Sequence, residues 1–252
     1  MMSRIGVLGA GGRMGAAVAA AVLADAALIL AGAVETVGHP AIGAAIGDTT
    51  IGVDAAALAG ISDVLIDFTV PAALAANLAA ARAGHAAIVI GTTGLGPEDD
   101  AAIDRAARDI AVLQTANTSV GVAVLARLVA TAAAALDWDI DILDLHHRAK
   151  RDAPSGTALM LGAVAARARG TTLAAVRDRP RTVAPGGIGF AALRGGSAAG
   201  DHMVLLAGDG ERIELHHKAE GRDLFAAGAV RAAAWLAGRA PGRYTMDDVL
   251  GA

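Results

Sequence analysis

Residues His146 to Leu159 read HHRAKRDAPSGTAL, and this segment combines reactive side chains with a predicted helix start. Two adjacent histidines and Lys150 come directly before a Pro-Ser-Gly-Thr sequence, which is typical of the first turn of a helix. Backbone N–H groups at a helix N-terminus attract anions. Proton donors beside such a helix start would suit the reduction of a small dicarboxylate.

Ser155 is the predicted N-cap of this helix, with Gly156 and Thr157 in its first turn. A carboxylate bound to the first-turn N–H groups would lie close to Lys150. Asp152 could pair with Lys150 or Arg148, or could itself cap the helix, and we assign it no chemistry.

The two histidines follow a predicted strand, Asp139 to Leu145, in which polar and apolar residues alternate. Neighbouring side chains of a strand face opposite ways, so His146 and His147 share a ligand only if a loop begins near His146. Ordinary structural roles, buried or exposed, are the alternative for both. Polar strand faces explain most residues such as Arg194, His202, His216 and His217, and the sequence leaves their individual roles open. The absence of a metal-binding spacing such as His-Glu-x-x-His predicts no metal site.

The second candidate site is the glycine-rich segment IGVLGAGGRMG, Ile5 to Gly15. Its glycines lie between a predicted strand and a predicted helix, where backbone amides can approach a pyrophosphate. An acidic residue, Glu35, follows about 20 positions later at the end of the next strand, where it could bind an adenosine ribose. The alternative is a tight turn with a surface glutamate, and Arg13 could either neutralise phosphates or be solvated.

Two further loops follow predicted strands of the same sheet. Gly91-Thr92-Thr93-Gly94 follows Ala87 to Ile90, and Thr115-Ala116-Asn117-Thr118 follows Ala111 to Gln114. Ligands of parallel sheets bind at the carboxyl ends of the strands, so these loops should line the cofactor crevice. The first could equally be an ordinary loop.

Strands and helices alternate over the first ~115 residues, which predicts a parallel sheet covered on both faces. A strand-rich region follows Asn117. We therefore predict an α/β protein with a Rossmann-type domain at 1–117 and a second α+β domain, with an open mixed sheet, at 118–225. Further predicted elements are the strands 4–8, 28–34, 64–68, 191–194, 202–207 and 212–218, and the helices 14–23, 71–83, 98–108, 120–136, 155–169 and 224–236.

The amino-acid composition argues against several classes of function. The absence of cysteine excludes disulfides and cysteine nucleophiles, and a net charge of −4 gives no general attraction to nucleic acid. The apolar run from Ala16 to Val34 could suggest a membrane span, but Asp25 interrupts it, which favours a helix followed by a buried strand. With no signal-peptide layout at the N-terminus, we expect a cytoplasmic protein that does not contact membranes.

Taken together, these motifs resemble the 4-hydroxy-tetrahydrodipicolinate reductase (dihydrodipicolinate reductase) family of the lysine and diaminopimelate pathway. The resemblance spans essentially the whole chain, and HHxxKxDAPSGTA is its most specific part. It is carried by Gly9–Gly15, Asp67–Thr69, Gly91–Gly94, Ala116–Val122, His146–Leu159, Phe225–Leu236 and Met246–Leu250.

The resemblance implies a hydride transfer from NADH or NADPH to C4 of the cyclic substrate, with loss of its hydroxyl as water. It implies His146 as proton donor or acceptor, Lys150 as second proton donor, and His147, Gly156 and Thr157 as substrate-carboxylate ligands. It also implies a homotetramer and a first domain completed by residues 226–252. The implied cofactor contacts are Gly9, Ala10, Gly11, Gly12, Arg13, Met14, Glu35, Gly91, Thr92, Thr93, Thr115, Ala116, Asn117 and Thr118.

Two positions depart from some members of the family. Thr36 stands where these members have an arginine suited to a 2′-phosphate, and Glu35 would repel that phosphate, so we predict that NADH is used at least as well as NADPH. Thr118 stands where others have phenylalanine, which bears on nicotinamide packing. The alternatives are another small-dicarboxylate or amino-acid dehydrogenase and a non-catalytic NAD(H) sensor. Neither needs both His146 and Lys150.

Overall fold

The computed structural model describes residues 2–173 and 187–251, which form two compact units. One unit comprises Met1–Val120 and Asp223–Ala252, and the other comprises Gly121–Arg222. Most of a Pro/Gly-rich stretch, 180–189, for which the sequence predicts no regular element, lies outside the described residues.

The strands are β1 (Ser3–Leu8), β2 (Leu28–Val34), β3 (Ala45–Ile46), β4 (Thr49–Gly52), β5 (Val64–Asp67), β6 (Ala87–Ile90), β7 (Ala111–Gln114), β8 (Asp139–His146), β9 (Ile188–Arg194), β10 (Gly200–Gly208), β11 (Glu211–Ala219) and β12 (Gly242–Tyr244). The helices are α1 (Arg13–Ala24), α2 (Ala55–Ile61), α3 (Leu74–Ala83), α4 (Pro97–Ala106), α5 (Val120–Ala135), α6 (Gly156–Ala168), α7 (Asp223–Leu236) and α8 (Met246–Val249).

The first unit is built on a sheet in the order β12-β7-β6-β5-β1-β2-β4-β3. Its neighbouring strands are parallel except for the short β3–β4 pair. The central strands β5 and β6 are buried along their whole length, which explains why VLID and AIVI are nearly continuous apolar runs. The chain runs from β1 to β2 on one side and later returns to β5 on the other, so the strand order reverses beside β1. Ligands of such sheets bind at this reversal.

Helix α7 belongs to the first unit although it follows the second unit in the sequence. It packs against α1, β5 and β6. Gly228 brings it close to the end of the first segment, because a Cβ atom there would lie 1.9 Å from the carbonyl oxygen of Thr118. Strand β12 then pairs with β7 at the edge of the sheet.

The second unit contains a mixed sheet in the order β11-β10-β8-β9, in which only β8 and β9 are parallel. Helices α5 and α6 and one face of this sheet form a single hydrophobic core, which includes Ile140, Ile142, Leu161 and Phe190. The predicted α/β fold class, with a Rossmann-type parallel sheet and a separate mixed sheet, is therefore confirmed.

Some boundaries differ from the sequence predictions. The helix predicted at 71–83 is a 3-10 turn, Pro71–Ala73, followed by α3. The helix predicted at 224–236 is followed by β12 and α8, neither of which was predicted, and β3, β4 and α2 were not predicted either. The apolar run from Ala16 to Val34 divides into α1 and β2, as predicted, and none of the helices in the described residues is long and apolar enough to cross a membrane.

Candidate active site

The glycine-rich loop connects β1 to α1 at a point where the backbone leaves no room for side chains. Gly9 has φ +80°, and a Cβ atom there would lie 2.9 Å from the carbonyl oxygen of Phe68. A Cβ atom on Gly15 would lie only 2.0 Å from the carbonyl oxygen of Gly9. Gly12 is the N-cap of α1 and provides no side-chain cap. The loop therefore presents main-chain amides at the start of a helix, which suits a pyrophosphate.

Glu35 lies at the end of β2 and is held against this loop. One carboxylate oxygen accepts a hydrogen bond from the Gly11 amide (2.9 Å) and the other accepts one from the Thr36 amide (2.8 Å). The carboxylate therefore has a fixed position beside a cleft of about 450 Å³. Residues that line this cleft include Gly9, Gly12, Glu35, Thr36, His39, Phe68, Thr69 and Asn77.

Asp67, which the sequence analysis gave no role, connects the loops at the carboxyl ends of the strands. It is fully buried and accepts hydrogen bonds from the Thr69 amide (2.8 Å), the Thr69 hydroxyl (2.6 Å), the Asn77 amide group (2.9 Å) and the Thr92 hydroxyl (3.2 Å). Gly91 packs against Phe68, since a Cβ atom there would lie 2.4 Å from the ring. The predicted Gly91–Thr93 loop therefore lies beside the residues that follow β5, and Thr93 is exposed.

The loop after β7 is stabilised by its own side chains. The Thr115 hydroxyl donates to the Asn117 carbonyl (2.8 Å), and the Asn117 side-chain oxygen accepts from the Ser119 amide (2.8 Å). Thr118 is buried, and its hydroxyl donates to the carbonyl oxygen of Phe225 at the start of α7 (2.7 Å). The side chain of Thr118 is thus engaged in packing within the first unit.

In the second unit, strand β8 ends at His146, so the alternation of a strand does not restrict His147. The amide of His147 donates to the Ala198 carbonyl (2.9 Å), and its side chain is half-buried. His146 is buried, and its Nδ1 lies 2.8 Å from Asp144 Oδ1. A carboxylate only accepts hydrogen bonds, so Nδ1 carries the hydrogen.

Asp144 is fully buried and holds three groups together. Besides His146, its Oδ1 accepts a hydrogen bond from Arg194 Nη1 (2.6 Å), and its Oδ2 accepts one from the Ser155 amide (3.0 Å). Burial alternates along β8, as the alternation of polar and apolar residues predicted, but the polar residues do not all lie on the more exposed face. Asp144 lies on the buried face in phase with Ile140 and Ile142.

Ser155 is the N-cap of α6, as predicted, and its hydroxyl accepts a hydrogen bond from the Ala158 amide (3.1 Å). The same hydroxyl lies 3.1 Å from Nε2 of His202, whose ring meets that of His146 edge to face at 5.2 Å. Burial, with the nearby His146, lowers the pKa of His202 to about 4. His202 is therefore neutral at pH 7.

Lys150 and the start of α6 lie near this cluster. Nζ of Lys150 is 2.8 Å from Asp152 Oδ2, so Asp152 pairs with the lysine and does not cap the helix. Burial opposes ionisation of Asp152, but the hydrogen bond and positive charge of Lys150 outweigh it and lower the pKa of Asp152. In the first turn of α6, Gly156 is exposed and Thr157 is half-buried.

Burial is also the largest influence on His146, and it lowers the pKa of that histidine. The hydrogen bond to Asp144 opposes this shift, while the charge of Lys150 adds to it. His216 lies apart, exposed on β11 and 3.2 Å from Glu214. The structure therefore brings His146, Ser155, Arg194 and His202 together, and it leaves His216 on a polar strand face.

A parallel sheet whose glycine-rich loop begins a helix beside a reversal of the strand order is typical of dinucleotide-binding enzymes of the Rossmann class. Family models described as "Dihydrodipicolinate reductase, N-terminus" and "Dihydrodipicolinate reductase, C-terminus" match residues 3–118 and 121–250. The chain therefore belongs to the dihydrodipicolinate reductase family.

Individual relatives agree with this assignment. A 4-hydroxy-tetrahydrodipicolinate reductase of Zymomonas mobilis is 50% identical over 98% of this chain and 97% of its own length. One from Bradyrhizobium diazoefficiens is 47% identical, with the same coverage. Among solved structures, the dipicolinate-bound dihydrodipicolinate reductase of Paenisporosarcina sp. TG-14 matches with a TM-score of 0.81 at 21% identity, over 97% of this chain and 98% of that one, and it supports the fold.

Proposed function

We propose that the protein reduces 4-hydroxy-tetrahydrodipicolinate to tetrahydrodipicolinate with loss of water, in the diaminopimelate route to lysine. The observation that carries this proposal is the arrangement of His146, Lys150 and the Ser155-capped start of α6 within one unit. The names of relatives close to 50% identical support the substrate. We propose that the protein acts in the cytoplasm, as expected of a biosynthetic enzyme of this family.

Each unit would contribute one part of the chemistry. The Gly9–Met14 loop, Glu35, Gly91–Thr93 and Thr115–Thr118 would hold the dinucleotide, which supplies a hydride when bound. His146 and Lys150 would handle protons at the substrate ring, and His147, Gly156 and Thr157 would bind its carboxylates. The protein's own contribution is orientation, charge complementarity and proton transfer.

The test is NADH oxidation in the presence of freshly prepared 4-hydroxy-tetrahydrodipicolinate, followed by the loss of the ultraviolet absorbance of reduced nicotinamide. We expect turnover with this substrate and none with simple 2-oxo acids, offered with or without ammonia. Turnover of a 2-oxo acid, alone or with ammonia, in place of this substrate would identify a hydroxy-acid or amino-acid dehydrogenase. NADH binding without any turnover would identify a sensor.

We propose that NADH is used at least as well as NADPH. Glu35 is held beside the cleft by the Gly11 and Thr36 amides, so its charge would meet a 2′-phosphate, and Thr36 is exposed and neutral. The variant Glu35→Gln should change the ratio of kcat/KM values toward NADPH by about tenfold, which corresponds to the removal of a charge repulsion of about 1.4 kcal/mol. Steady-state kinetics with both cofactors measures this ratio.

The matched control is Glu98→Gln, because Glu98 is an exposed glutamate in the first turn of α4. It should leave the cofactor ratio unchanged. A wild-type kcat/KM that is clearly higher with NADPH would contradict the proposed preference.

We also propose that the protein forms a homotetramer through the mixed sheet of the second unit. Helices α5 and α6 pack on one face of this sheet, and apolar side chains lie on the other face with partial exposure. Partly exposed apolar faces of this kind favour association between copies, and the number four comes from the family resemblance. These side chains are Leu143, Leu145, Leu193, Met203 and Leu205.

The variant Met203→Glu should reduce the tetramer to smaller species, because a carboxylate would be buried among leucines. Light scattering coupled to size-exclusion chromatography measures the mass. Val37→Glu is the control, because Val37 is 83% exposed in the first unit. A monomeric wild type, or a tetramer that persists in Met203→Glu, would refute this interface.

A further inference from the structure

We infer that Asp144 is a positioning residue for the reaction, which fixes the orientation and tautomer of His146 and ties it to the start of α6. This inference rests on the proposed function, in which His146 handles a proton. The sequence alone predicts no role for Asp144.

A hydrogen bond joins Asp144 to His146. Asp144 is fully buried, and its Oδ1 lies 2.8 Å from Nδ1 of His146. Because this carboxylate only accepts, Nδ1 keeps its hydrogen whether the ring is neutral or charged. Nε2 is consequently the atom that gains or loses a proton, and a rotation of the ring would sacrifice the bond to Asp144.

Gly200 lies beside Nε2 of His146. A Cβ atom on Gly200 would lie 3.0 Å from Nε2 of His146, and Gly200 has φ +156°, which other residues rarely adopt. A glycine at this position leaves room on that side of Nε2. In this tautomer, Nε2, the atom that exchanges the proton, therefore lies beside a residue that has no side chain.

The two carboxylate oxygens of Asp144 bind different partners. Oδ1 binds His146 together with Arg194 Nη1 (2.6 Å), and Oδ2 binds the Ser155 amide (3.0 Å). Arg194 also donates from Nη2 to the Asp152 carbonyl (2.6 Å). One carboxylate thus couples the proton-carrying ring to the helix start that would bind a substrate carboxylate. Positional errors of about 1 Å in such groups can cost roughly 100-fold in rate.

If Asp144 had only a structural role, its replacement would lower the stability of the fold without moving the pH dependence of the reaction. The pH profile of kcat/KM therefore distinguishes a structural role of Asp144 from a positioning role. The charged or titratable groups that face His146 are Asp144, Lys150, Arg194 and His202. Burial, Lys150 and Arg194 lower the pKa of His146, and Asp144 raises it. Removal of the Asp144 charge should lower this pKa further. Whether His146 gives or takes the proton, the limb of the pH profile that it controls should move to lower pH.

The main variant is Asp144→Asn. We expect kcat/KM to fall roughly 100-fold, the limb controlled by His146 to move to lower pH, and the Kd for NADH to stay unchanged, because the glycine loop belongs to the other unit. Asp144→Glu keeps the charge and should restore the position of the limb. The control is Asp139→Asn, an exposed aspartate on the same strand, which should match the wild type.

Asp144→Asn leaves the Arg194 charge without its partner, which could prevent folding. The double variant Asp144→Asn/Arg194→Gln removes both charges, and its limb should also move to lower pH, because both influences of Asp144 on His146 exceed that of Arg194. An unmoved limb in the folded single or double variant would overturn the inference.

A readout independent of activity separates this inference from the proposed function. NMR of the imidazole nitrogens, assigned with His146→Gln, should show a single Nδ1–H tautomer in the wild type and a mixture with a lower pKa in Asp144→Asn. If the wild type lacks reductase activity but shows this change, the proposed function fails and the positioning by Asp144 stands. An unchanged tautomer and titration in Asp144→Asn would refute the positioning even in an active enzyme.

Discussion

Replacement of Lys150 by alanine is expected to reduce kcat/KM by about 10²- to 10⁴-fold, the usual contribution of a general acid. Nζ of Lys150 lies 2.8 Å from Asp152 and close to the start of α6, so its loss removes both a proton donor and a positive charge near the proposed carboxylate site. NADH binding should persist, because the glycine loop belongs to the other unit. Steady-state kinetics and a fluorescence titration with NADH measure the two effects.

Arg151→Ala is the matched control for this variant. Arg151 is an exposed neighbour of the same charge, so its replacement tests whether any nearby cation suffices. We expect nearly wild-type turnover from Arg151→Ala. Turnover close to normal in Lys150→Ala would show that the role assigned to this lysine is wrong.

The second large effect is expected from Gly15→Ala. The added Cβ atom would lie 2.0 Å from the carbonyl oxygen of Gly9 and 2.8 Å from Cα of Ala10, so the loop and α1 must move apart. Such overpacking typically costs about 1–3 kcal/mol, and it displaces the amides that would hold the pyrophosphate. We expect a lower Tm and at least a tenfold weaker Kd for NADH, measured by calorimetry.

Gly60→Ala provides the comparison, because Gly60 lies in α2 and nothing is within 4 Å of a Cβ atom placed there. Alanine in an open helical position stabilises by roughly 0.5–1 kcal/mol relative to glycine. The Tm of Gly60→Ala should therefore be unchanged or slightly higher. If Gly15→Ala bound NADH as tightly as the wild type, the close approach of Gly15 to the Gly9 carbonyl would not be required for cofactor binding.

The sequence predicts much of the first sheet because its strands are short apolar runs that end at glycines or polar residues. The bounds of β2, β6 and β7 agree with the prediction. The cap at Ser155 was also predictable, since a serine before Gly-Thr offers a local hydrogen bond. These features depend on neighbouring residues, which a sequence shows directly.

Features that depend on distant partners were not predictable in the same way. Strands β3 and β12 are only two and three residues long, and pairing with β4 and β7 defines them. The role of Arg194 depends on Asp144, fifty residues away in the sequence. One local signal was available, because Asp144 lies two and four residues after buried isoleucines. A charged residue in that phase indicates a buried carboxylate that needs partners.

The second unit lies between two segments of the first, and this order has a consequence during synthesis on the ribosome. The early strands β1, β5 and β6 emerge long before α7 and β12, which cover and extend their sheet. All described elements of the inserted unit except the first residue of α5 lie within Gly121–Arg222, so it can fold while translation continues. The first unit, whose early strands are synthesised first, is therefore the last to be completed.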